Sequence, residues 1–333
     1  VHPRQDSLNF VSTEAIYDYG TRMLHASGVP FIKVADAFVF PHEKELDIGY
    51  RATMSLLNNA KLMANQTNRQ YLIHDASIAV DGANDYSGSG YYDYQDAFGN
   101  AYELFFNKVW VDTSILTLAT AEVAEDASFM LSPYFDFQGE VKLSADLPFL
   151  EFDGGTRLVH SCDIGRSWLR FTAVIDPADI RIPIPEQMQN TELNKIFSGS
   201  LITRDSTHIY PTFLSGRKDY FDANITSASG ELIYDPEGES YIISTPEKLA
   251  DQSWPGSYLR LETGICKLYG EGPVNLNLDF GSVEMVSTGN ASHNVALKEF
   301  ETHMVLGIDF FFSPEALPVM GEEIDNLPQL DPV

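Results

Sequence analysis

The stretch EVKLSADLPF, residues 140–149, decides the fold class because its apolar residues recur at every second position. The residues that share this face are Val141, Leu143, Ala145, Leu147 and Phe149. An alternation with period two is typical of a β-strand that buries one face and exposes the other. The stretches VNLNLDF (274–280) and HMVLGIDFFF (303–312) repeat the pattern. We predict strands at all three places.

Turn signals separate such runs along nearly the whole chain. They include DGAND (81–85), DAFGN (96–100) and YDPEGESY (234–241), in which Gly, Pro, Asn and Asp supply the backbone conformations that tight turns need. The sequence therefore predicts an all-β fold, an elongated stack of antiparallel or solenoid-like strands with few short helices. A β-sandwich or jelly-roll-like body would give the same pattern, and the sequence does not separate these alternatives.

Three segments carry a helical signal. PEQMQNTELNKIF (185–197) starts with proline, and TPEKLAD (245–251) offers Thr245 as N-cap before a proline; we predict a short helix at each. RATMSLLNNAKLMANQ (51–66) fits a helix or two short strands broken at its Asn-Asn pair, and we favour strands.

The amino-acid composition changes in the middle of the chain, which indicates boundaries between segments. Prolines cluster in DPADIRIPIPEQ (176–187), and proline is excluded from the interior of a paired sheet. We therefore predict four parts: a first β-rich segment, a Pro-rich crossover, a second β-rich segment and a linker or tail, at residues 1–155, 156–195, 196–320 and 321–333. The tail and the Val start lead us to expect a fragment of a larger protein.

The charge balance excludes some partners. The chain has 48 Asp and Glu residues against 21 Lys and Arg residues, a net charge of −27, which repels nucleic acid and anionic lipid headgroups. We predict no nucleic-acid partner and, since no long apolar run occurs, no transmembrane segment. An acidic surface suits an extracytoplasmic protein. Two cysteines, Cys162 and Cys266, are favoured as separate buried thiols, with one long-range disulfide as the alternative.

The glycine-rich stretch YSGSGYYDY (86–94) fails as a phosphate-binding motif. Asp93 stands where a dinucleotide fingerprint needs its third glycine, so we predict no cofactor. Its glycines, like those that recur at Gly139, Gly199 and Gly270, are predicted to lie where strands bend or approach closely. The histidines are scattered and no EF-hand loop fits, so we predict no metal site.

No arrangement indicates a catalytic residue. In HSCD (160–163) the imidazole and the thiol would stand side by side on a strand, which is poor geometry for a nucleophile and its base. Glu151 and Asp153 share a face, as carboxylate pairs often do by chance in an acidic chain. We favour a non-enzymatic chain and keep enzymatic activity as the open alternative.

The strongest candidate for ligand binding follows the glycines. It consists of Tyr91, Tyr92, Asp93, Tyr94 and Asp96. Aromatic rings can stack on sugars while neighbouring carboxylates accept hydrogen bonds from sugar hydroxyls. The alternative is a half-buried aromatic hairpin with only a structural role.

Longer segments resemble known envelope proteins. AIYDYGTRMLHASGVPFIKVADAFVFPHEKELDI (15–48) and NAKLMANQTNRQYLIHDASIAVDG (59–82) resemble the units of OstA-like lipopolysaccharide-transport proteins, in which a strand with Ala and Tyr precedes a turn and a valine-rich strand. The block at 199–249 resembles parts of very large envelope proteins of Gram-negative bacteria. The resemblance implies a stacked β fold in the envelope and a structural, lipid-related or transport-related role.

Two functions are therefore expected. The first is a non-enzymatic envelope or cell-surface module within a larger protein, a scaffold or a conduit for lipid or glycan. Its partners would be other domains or envelope proteins, in the periplasm, at the outer membrane or on the cell surface. The alternative is a carbohydrate-binding or carbohydrate-active protein. The first predicts an apolar groove or a packed interior, and the second predicts a cleft with exposed aromatic rings beside two carboxylates.

Overall fold

The computed structural model describes residues 8–65, 71–275, 283–310 and 314–325. Within them the chain is nearly all β, with antiparallel sheets and two short α-helices. The predicted all-β class and the small number of helices are confirmed. The largest sheet curls into a half-barrel, and a solenoid is not shown among the described strands.

The chain divides into two compact units, and neither unit is one continuous segment. The first unit comprises residues 1–161, 166–196 and 231–234. The second unit comprises residues 162–165, 197–230 and 235–333. All of the predicted crossover at 156–195 except its residues 162–165 groups with the first unit.

Two antiparallel sheets lie entirely within the first unit. Its strands are β1 (Glu14–Asp18), β2 (Met23–Ser27), β3 (Ile32–Val34), β4 (Ala37–Phe40), β5 (Glu45–Ile48), β6 (Leu57–Ala64), β7 (Tyr71–Gly82), β8 (Asp85–Gln95), β9 (Ala101–Val111), β10 (Thr117–Val123), β11 (Met130–Ser132), β12 (Phe135–Ser144), β13 (Glu151–Leu158), β14 (Leu169–Val174), β15 (Ile182–Ile184) and β16 (Met188–Gln189). Strands β15 and β16 belong to neither of the two sheets. The small sheet has the order β1–β2–β5. The large sheet runs β14–β13–β12–β10–β9–β8–β7–β6–β4–β3, with β11 on β12, so neighbours in the sheet are nearly always neighbours in sequence.

The concave side of the large sheet is a packed core. Large aromatic side chains fill it and are almost fully buried: Tyr71, Tyr86, Phe106, Phe135, Phe137 and Phe152. The buried tyrosines keep hydrogen bonds, since the Tyr71 hydroxyl donates to the Leu147 carbonyl and Tyr86 meets the Thr117 hydroxyl. Burial of a phenol without such a partner would cost roughly 1–3 kcal/mol. The half-barrel is therefore filled by its own side chains.

Strand β12 shows how the alternation directs the fold. Val141 and Leu143 are buried, while Lys142 between them lies on the outer face beside Glu140, Glu151 and Asp153. The predicted strand at 140–149 is confirmed as far as Ser144, where a turn begins.

Three of the recurring glycines, Gly88, Gly139 and Gly199, lie where backbones approach closely, as predicted, whereas Gly270 packs against side chains. A Cβ atom on Gly88 would stand 2.2 Å from the Ser77 carbonyl oxygen of the neighbouring strand. Gly139 has a φ of +134° and faces Gly154 across the β12–β13 pair, where a Cβ would meet the Asp153 carbonyl at 2.5 Å. Side chains at these positions would push the strands apart.

The second unit also consists mainly of antiparallel strands. Its elements are β17 (Lys195–Ile202) and β20 (Gly230–Asp235), parts of which group with the first unit, and β18 (Ile209–Ser215), β19 (Ala223–Asn224), β21 (Ser240–Ser244), α1 (Pro246–Ala250), β22 (Tyr258–Glu262), β23 (Lys267–Pro273), β24 (Val283–Asn294), β25 (Glu299–Phe310) and α2 (Ala316–Asp325). Strands β21 to β25 pair in sequence order. Neither described helix is long and apolar enough to cross a membrane.

A disulfide joins Cys162 to Cys266 within the second unit. Two separate buried thiols, which the sequence favoured, are therefore a wrong prediction, and the alternative pairing is the one present. The sequence could not show it because the two cysteines are 104 positions apart. The pairing also removes the thiol of the HSCD stretch as a nucleophile.

The helix predictions had mixed outcomes. Thr245 caps α1, accepting a hydrogen bond from the Lys248 backbone N–H at 3.5 Å, as its position before Pro246 predicted. The helix predicted at 185–197 is wrong: β16 and the start of β17 pair across a turn there instead. In the 51–66 segment the preference for strand over helix is confirmed, but the predicted break at the Asn-Asn pair is wrong. A single strand, β6, runs through it, and Asn59 takes a positive φ at a bulge.

The two remaining strand predictions fall near the end of the second unit. Most of VNLNLDF lies outside the described residues. The part of HMVLGIDFFF at 303–310 lies in β25, and its last two residues lie outside the described residues. Leu306 and Ile308, on the predicted inner face, are 46% and 49% exposed. Strand β25 is the edge of its sheet, so alternation alone does not ensure that its apolar row is covered.

Candidate functional site

The structure separates the five tyrosine and aspartate residues of the predicted ligand site. They lie on or just after β8, where successive side chains point to opposite faces. Tyr94 is buried in the aromatic core, and its hydroxyl donates to the Leu131 carbonyl at 3.0 Å. Tyr92 points to the same side and lies 6.1 Å from the Phe106 ring. Only Tyr91 and Asp93 stand on the outer face.

Asp96 has a structural position in the turn after β8. It is buried, and its carboxylate accepts hydrogen bonds from the backbone N–H groups of Phe98 and Asn100 at 2.8 and 2.9 Å. The Asn100 side-chain amide donates a third at 2.8 Å. All three bonds stay inside the turn, which the carboxylate holds together. Ligand binding by the five residues together remains a prediction, and their geometry offers a ligand only the outer two.

The outer face around Tyr91 carries a different group of side chains. The Tyr91 ring lies 4.9 Å from the ring of Phe105, which is exposed, and 6.2 Å from the imidazole of His74. Asp93 stands directly opposite Glu103 on β9. Contact with Asp75, and then with Asp93, raises the pKa of His74, since both carboxylates favour its charged form.

The second unit holds a cleft that the sequence analysis missed. It has a volume of about 430 Å³ and is lined mainly by alternate residues of two paired strands, β22 and β23, which are partly exposed except for the buried Tyr258. Three cross-strand pairs form its floor: Tyr258 with Glu271, Arg260 with Tyr269, and Glu262 with Lys267. Gln252 and Lys248 on the α1 side and Ile265 at the hairpin turn complete it.

Alternation builds this floor. The residues between the lining positions, Leu259, Leu261 and Leu268, are buried on the opposite face and anchor both strands. The lining positions must then face away from the core, because side chains alternate along a strand. The hairpin register brings two rows of three residues side by side, so aromatic, cationic and anionic groups meet on one surface.

A buried lysine fixes one wall of the cleft. Lys248 is 2% exposed, and its ammonium group donates to Glu271 Oε1 at 2.7 Å and to the Trp254 carbonyl at 2.9 Å. A charge this deeply buried is tolerated only when it is paired and hydrogen-bonded. The pair therefore holds α1 against β23 and sets the position of the Glu271 carboxylate.

Arg260, a cation in the floor of the cleft, is also held in place. The Arg260 guanidinium contacts Glu262 Oε1 at 3.5 Å and donates to the Ser240 hydroxyl at 3.1 Å. Among the described residues no ion pair is found for Lys267, which leaves its ammonium group available to a ligand. The two phenols of the floor stay protonated: burial raises the pKa of Tyr258 and of Tyr269, with Glu271 adding to the rise at Tyr269.

The candidate carboxylate pair Glu151 and Asp153 has a structural environment. Lys142 lies 3.3 Å from a carboxylate oxygen of each. The Thr172 hydroxyl, donating at 2.9 Å, and then Lys142 lower the pKa of Asp153. Both carboxylates thus serve a partly exposed ion cluster on the outer face of the large sheet.

No family model, curated protein or solved structure matches the chain. The resemblance to lipopolysaccharide-transport and envelope proteins therefore remains a prediction. The function has to be argued from the geometry of the two units.

Proposed function

We propose that the chain is a non-enzymatic ligand-binding β module of the cell envelope or cell surface, and that it binds a glycan in the cleft of the second unit. The observation that carries the proposal is the floor of the cleft, where two tyrosine rings alternate with charged side chains on paired strands. A volume of about 430 Å³ lies in the range of small-molecule sites, roughly 300–1,000 Å³.

The chemistry of the floor suits a sugar. A sugar ring has apolar C–H faces and a rim of hydroxyls, so it needs an aromatic surface beside fixed donors and acceptors. Tyr269 supplies an accessible ring, and Glu262 and Glu271 supply acceptors already oriented by Arg260 and Lys248. Lys267 adds a cation, which favours a saccharide that carries a carboxylate.

The ion pairs argue for binding rather than hydrolysis. Glycoside hydrolysis needs one carboxylic acid that holds a proton and gives it to the leaving group. Both carboxylates of the cleft are already engaged by a cation, Glu271 by Lys248 and Glu262 by Arg260. They therefore act in the proposal as hydrogen-bond acceptors.

The placement outside the cytoplasm has its own support. The Cys162–Cys266 disulfide is a bond that forms and persists in oxidising compartments. The acidic surface fits the same placement. Other domains or envelope proteins are the proposed neighbours, and a scaffold role is compatible with glycan binding. A conduit through the half-barrel is less favoured, because aromatic side chains fill its concave side.

A glycan-array screen with the full chain, followed by titration calorimetry of the best binder, tests the proposal. We expect binding that weakens at least tenfold in Tyr269→Ala, a loss of about 1.4 kcal/mol. Lys267→Ala should weaken acidic glycans more than neutral ones. Tyr220→Ala is the matched control, because Tyr220 lies in the same unit, is 76% exposed and is not part of the cleft.

Two results would reject the proposal. One is the absence of binding to every acidic and neutral glycan on the array by a folded protein. The other is a glycan whose affinity is unchanged in Tyr269→Ala. If Tyr91→Ala instead abolished binding, the glycan site would lie on the outer face of β8, as the sequence predicted.

A further inference from the structure

Three side chains with metal-binding atoms converge on the outer face of the first unit. His74 lies on β7, Asp93 on β8 and Glu103 on β9, three strands that are consecutive in the sheet. One nitrogen or oxygen atom of each lies within 4.8 Å of the others. The sequence predicted no metal because its histidines are scattered and no EF-hand loop fits. His74 and Asp93 are 19 positions apart, and only the register brings them together.

A β-bulge sets the position of the histidine. The pairing of β7 with β8 shifts register between His74 and Ser77, and Asp75 in the bulge has a φ of +46°. A bulge adds a residue to one strand and re-aims the side chains beside it. Here it places His74 and Asp75 next to each other on the outer side while Ile73 and Ala76 remain in the core.

The two imidazole nitrogens have different surroundings. Nδ1 lies 2.8 Å from Asp75 Oδ2, a hydrogen bond that fixes the ring orientation. Nε2 lies 3.5 Å from Asp93 Oδ2, is shielded from solvent and has no hydrogen-bond partner among the described residues. A carboxylate on one ring nitrogen and a free second nitrogen is the arrangement that orients histidine ligands in metal sites.

The carboxylates on the other side of this nitrogen need positive charge. Asp93 and Glu103 are directly opposite in the β8–β9 register, and like charges at such positions destabilise a strand pair. Both side chains are exposed and can rotate toward a common point. A divalent cation there would satisfy the imidazole nitrogen and neutralise both carboxylates at once.

We propose that His74 Nε2, Asp93 and Glu103 form a binding site for a divalent transition-metal ion of the zinc type. Zn²⁺ takes imidazole nitrogen and carboxylate oxygen at about 2.0–2.2 Å, usually as four ligands in a tetrahedron. That geometry needs ligand atoms about 3.4 Å apart. The Nε2–Oδ2 separation of 3.5 Å already fits, and the other separations, all within 4.8 Å, have to close by at most about 1.4 Å. Water fills the fourth position.

Asp75 acts as a positioning residue in this site. It contacts the imidazole rather than the ion, and loss of such a partner typically weakens metal affinity about 10–100-fold. His25, in the same unit, provides a matched control. Its Nδ1 also pairs with a carboxylate, Asp47 Oδ1 at 2.5 Å, but no third ligand group joins that pair among the described residues.

Titration calorimetry of the tag-free, metal-stripped chain with ZnCl₂ in 150 mM NaCl tests the site. The salt screens diffuse attraction of cations to the acidic surface. We expect one saturable Zn²⁺ equivalent that MgCl₂ does not displace. The affinity should fall at least tenfold in His74→Ala and in Glu103→Gln, fall about 10–100-fold in Asp75→Ala, and stay unchanged in His25→Ala.

X-ray absorption of the wild-type zinc complex gives a second readout that does not depend on any variant folding. It should show a single imidazole among oxygen ligands. Absence of a saturable equivalent overturns the proposal. Zinc binding that survives His74→Ala and Glu103→Gln, or a spectrum with oxygen ligands alone, also overturns it, because the ion would then be held by the acidic surface.

Discussion

Removal of the Cys162–Cys266 disulfide should lower the free energy of unfolding of the second unit by several kilocalories per mole. The bond closes a loop of 104 residues. In the chain-entropy model a cross-link stabilises the fold by restricting the unfolded chain, and a loop of this length gives about 4.7 kcal/mol at 25 °C. Domains of ordinary stability have only about 5–15 kcal/mol in total, so the loss would be a large share.

Urea denaturation of three proteins measures this effect. They are the oxidised wild type, the wild type kept reduced, and the double variant Cys162→Ser, Cys266→Ser. The reduced wild type keeps both sulfur atoms, so its difference from the oxidised protein isolates the cross-link. Because Cys162 is buried, the double variant should lose somewhat more than the reduced protein.

The position of the single tryptophan of the second unit allows its unfolding to be followed. Trp254 lies in that unit, while Trp110 and Trp168 lie in the first. In a chain with both of the latter replaced by Phe, we expect the fluorescence transition to shift to lower urea on reduction. A shift corresponding to less than about 1 kcal/mol would refute the reasoning from loop length.

Two further predictions concern buried polar groups. Asp96→Ala should destabilise the first unit by about 3 kcal/mol, because three donors in the turn lose a charged acceptor. Asp96→Asn should destabilise it less, and equal urea midpoints for the wild type and both variants would contradict this. Burial, with the charge of Lys218, lowers the pKa of His293 in the folded state. The neutral imidazole therefore contributes stability above the unfolded pKa of about 6.5. That contribution is lost as the pH falls below this value, because the unfolded chain then takes up the proton first. His293→Leu should therefore show a smaller loss of stability between pH 7.5 and pH 5.5 than the wild type in urea titrations, and an identical loss would show that His293 does not contribute.

The fold class could be predicted because alternation is a local property. In 141–146 each apolar residue is followed by a polar one, and this was sufficient to predict the strand and its buried face, as Val141 and Leu143 confirm. The same rule failed for Leu306 and Ile308, which are exposed on an edge strand. Alternation shows that a face is apolar, but cover for that face has to come from another element.

The sites could not be predicted in the same way, because they depend on register. The row of Tyr258, Arg260 and Glu262 alternates with leucines and is visible in the sequence, as is the row of Lys267, Tyr269 and Glu271. The two rows form one floor only because the hairpin between them sets their register, and the cavity above the floor also needs α1 as a wall. The bulge at Asp75 likewise arises from the pairing of β7 with β8, so no pattern in the local sequence predicts where the His74 side chain lies.

The tyrosine-rich strand β8 shows why binding has to be sought on outer faces in both units. Its inner tyrosines are committed to the core: the Tyr94 ring lies 5.7 Å from Phe152 and its hydroxyl is used by a backbone carbonyl. Exposure of such a side chain to a ligand would open the core at a cost of several kilocalories per mole. The outer row of β8, with Tyr91 and Asp93, is not part of the core, so Asp93 can change its hydrogen-bond partners without disturbing the packing. The same division holds on β22 and β23, where leucines hold the strands and the alternate row is left for chemistry. A filled half-barrel therefore does not argue against ligand binding by this chain; it restricts binding to the residues whose loss the fold can tolerate.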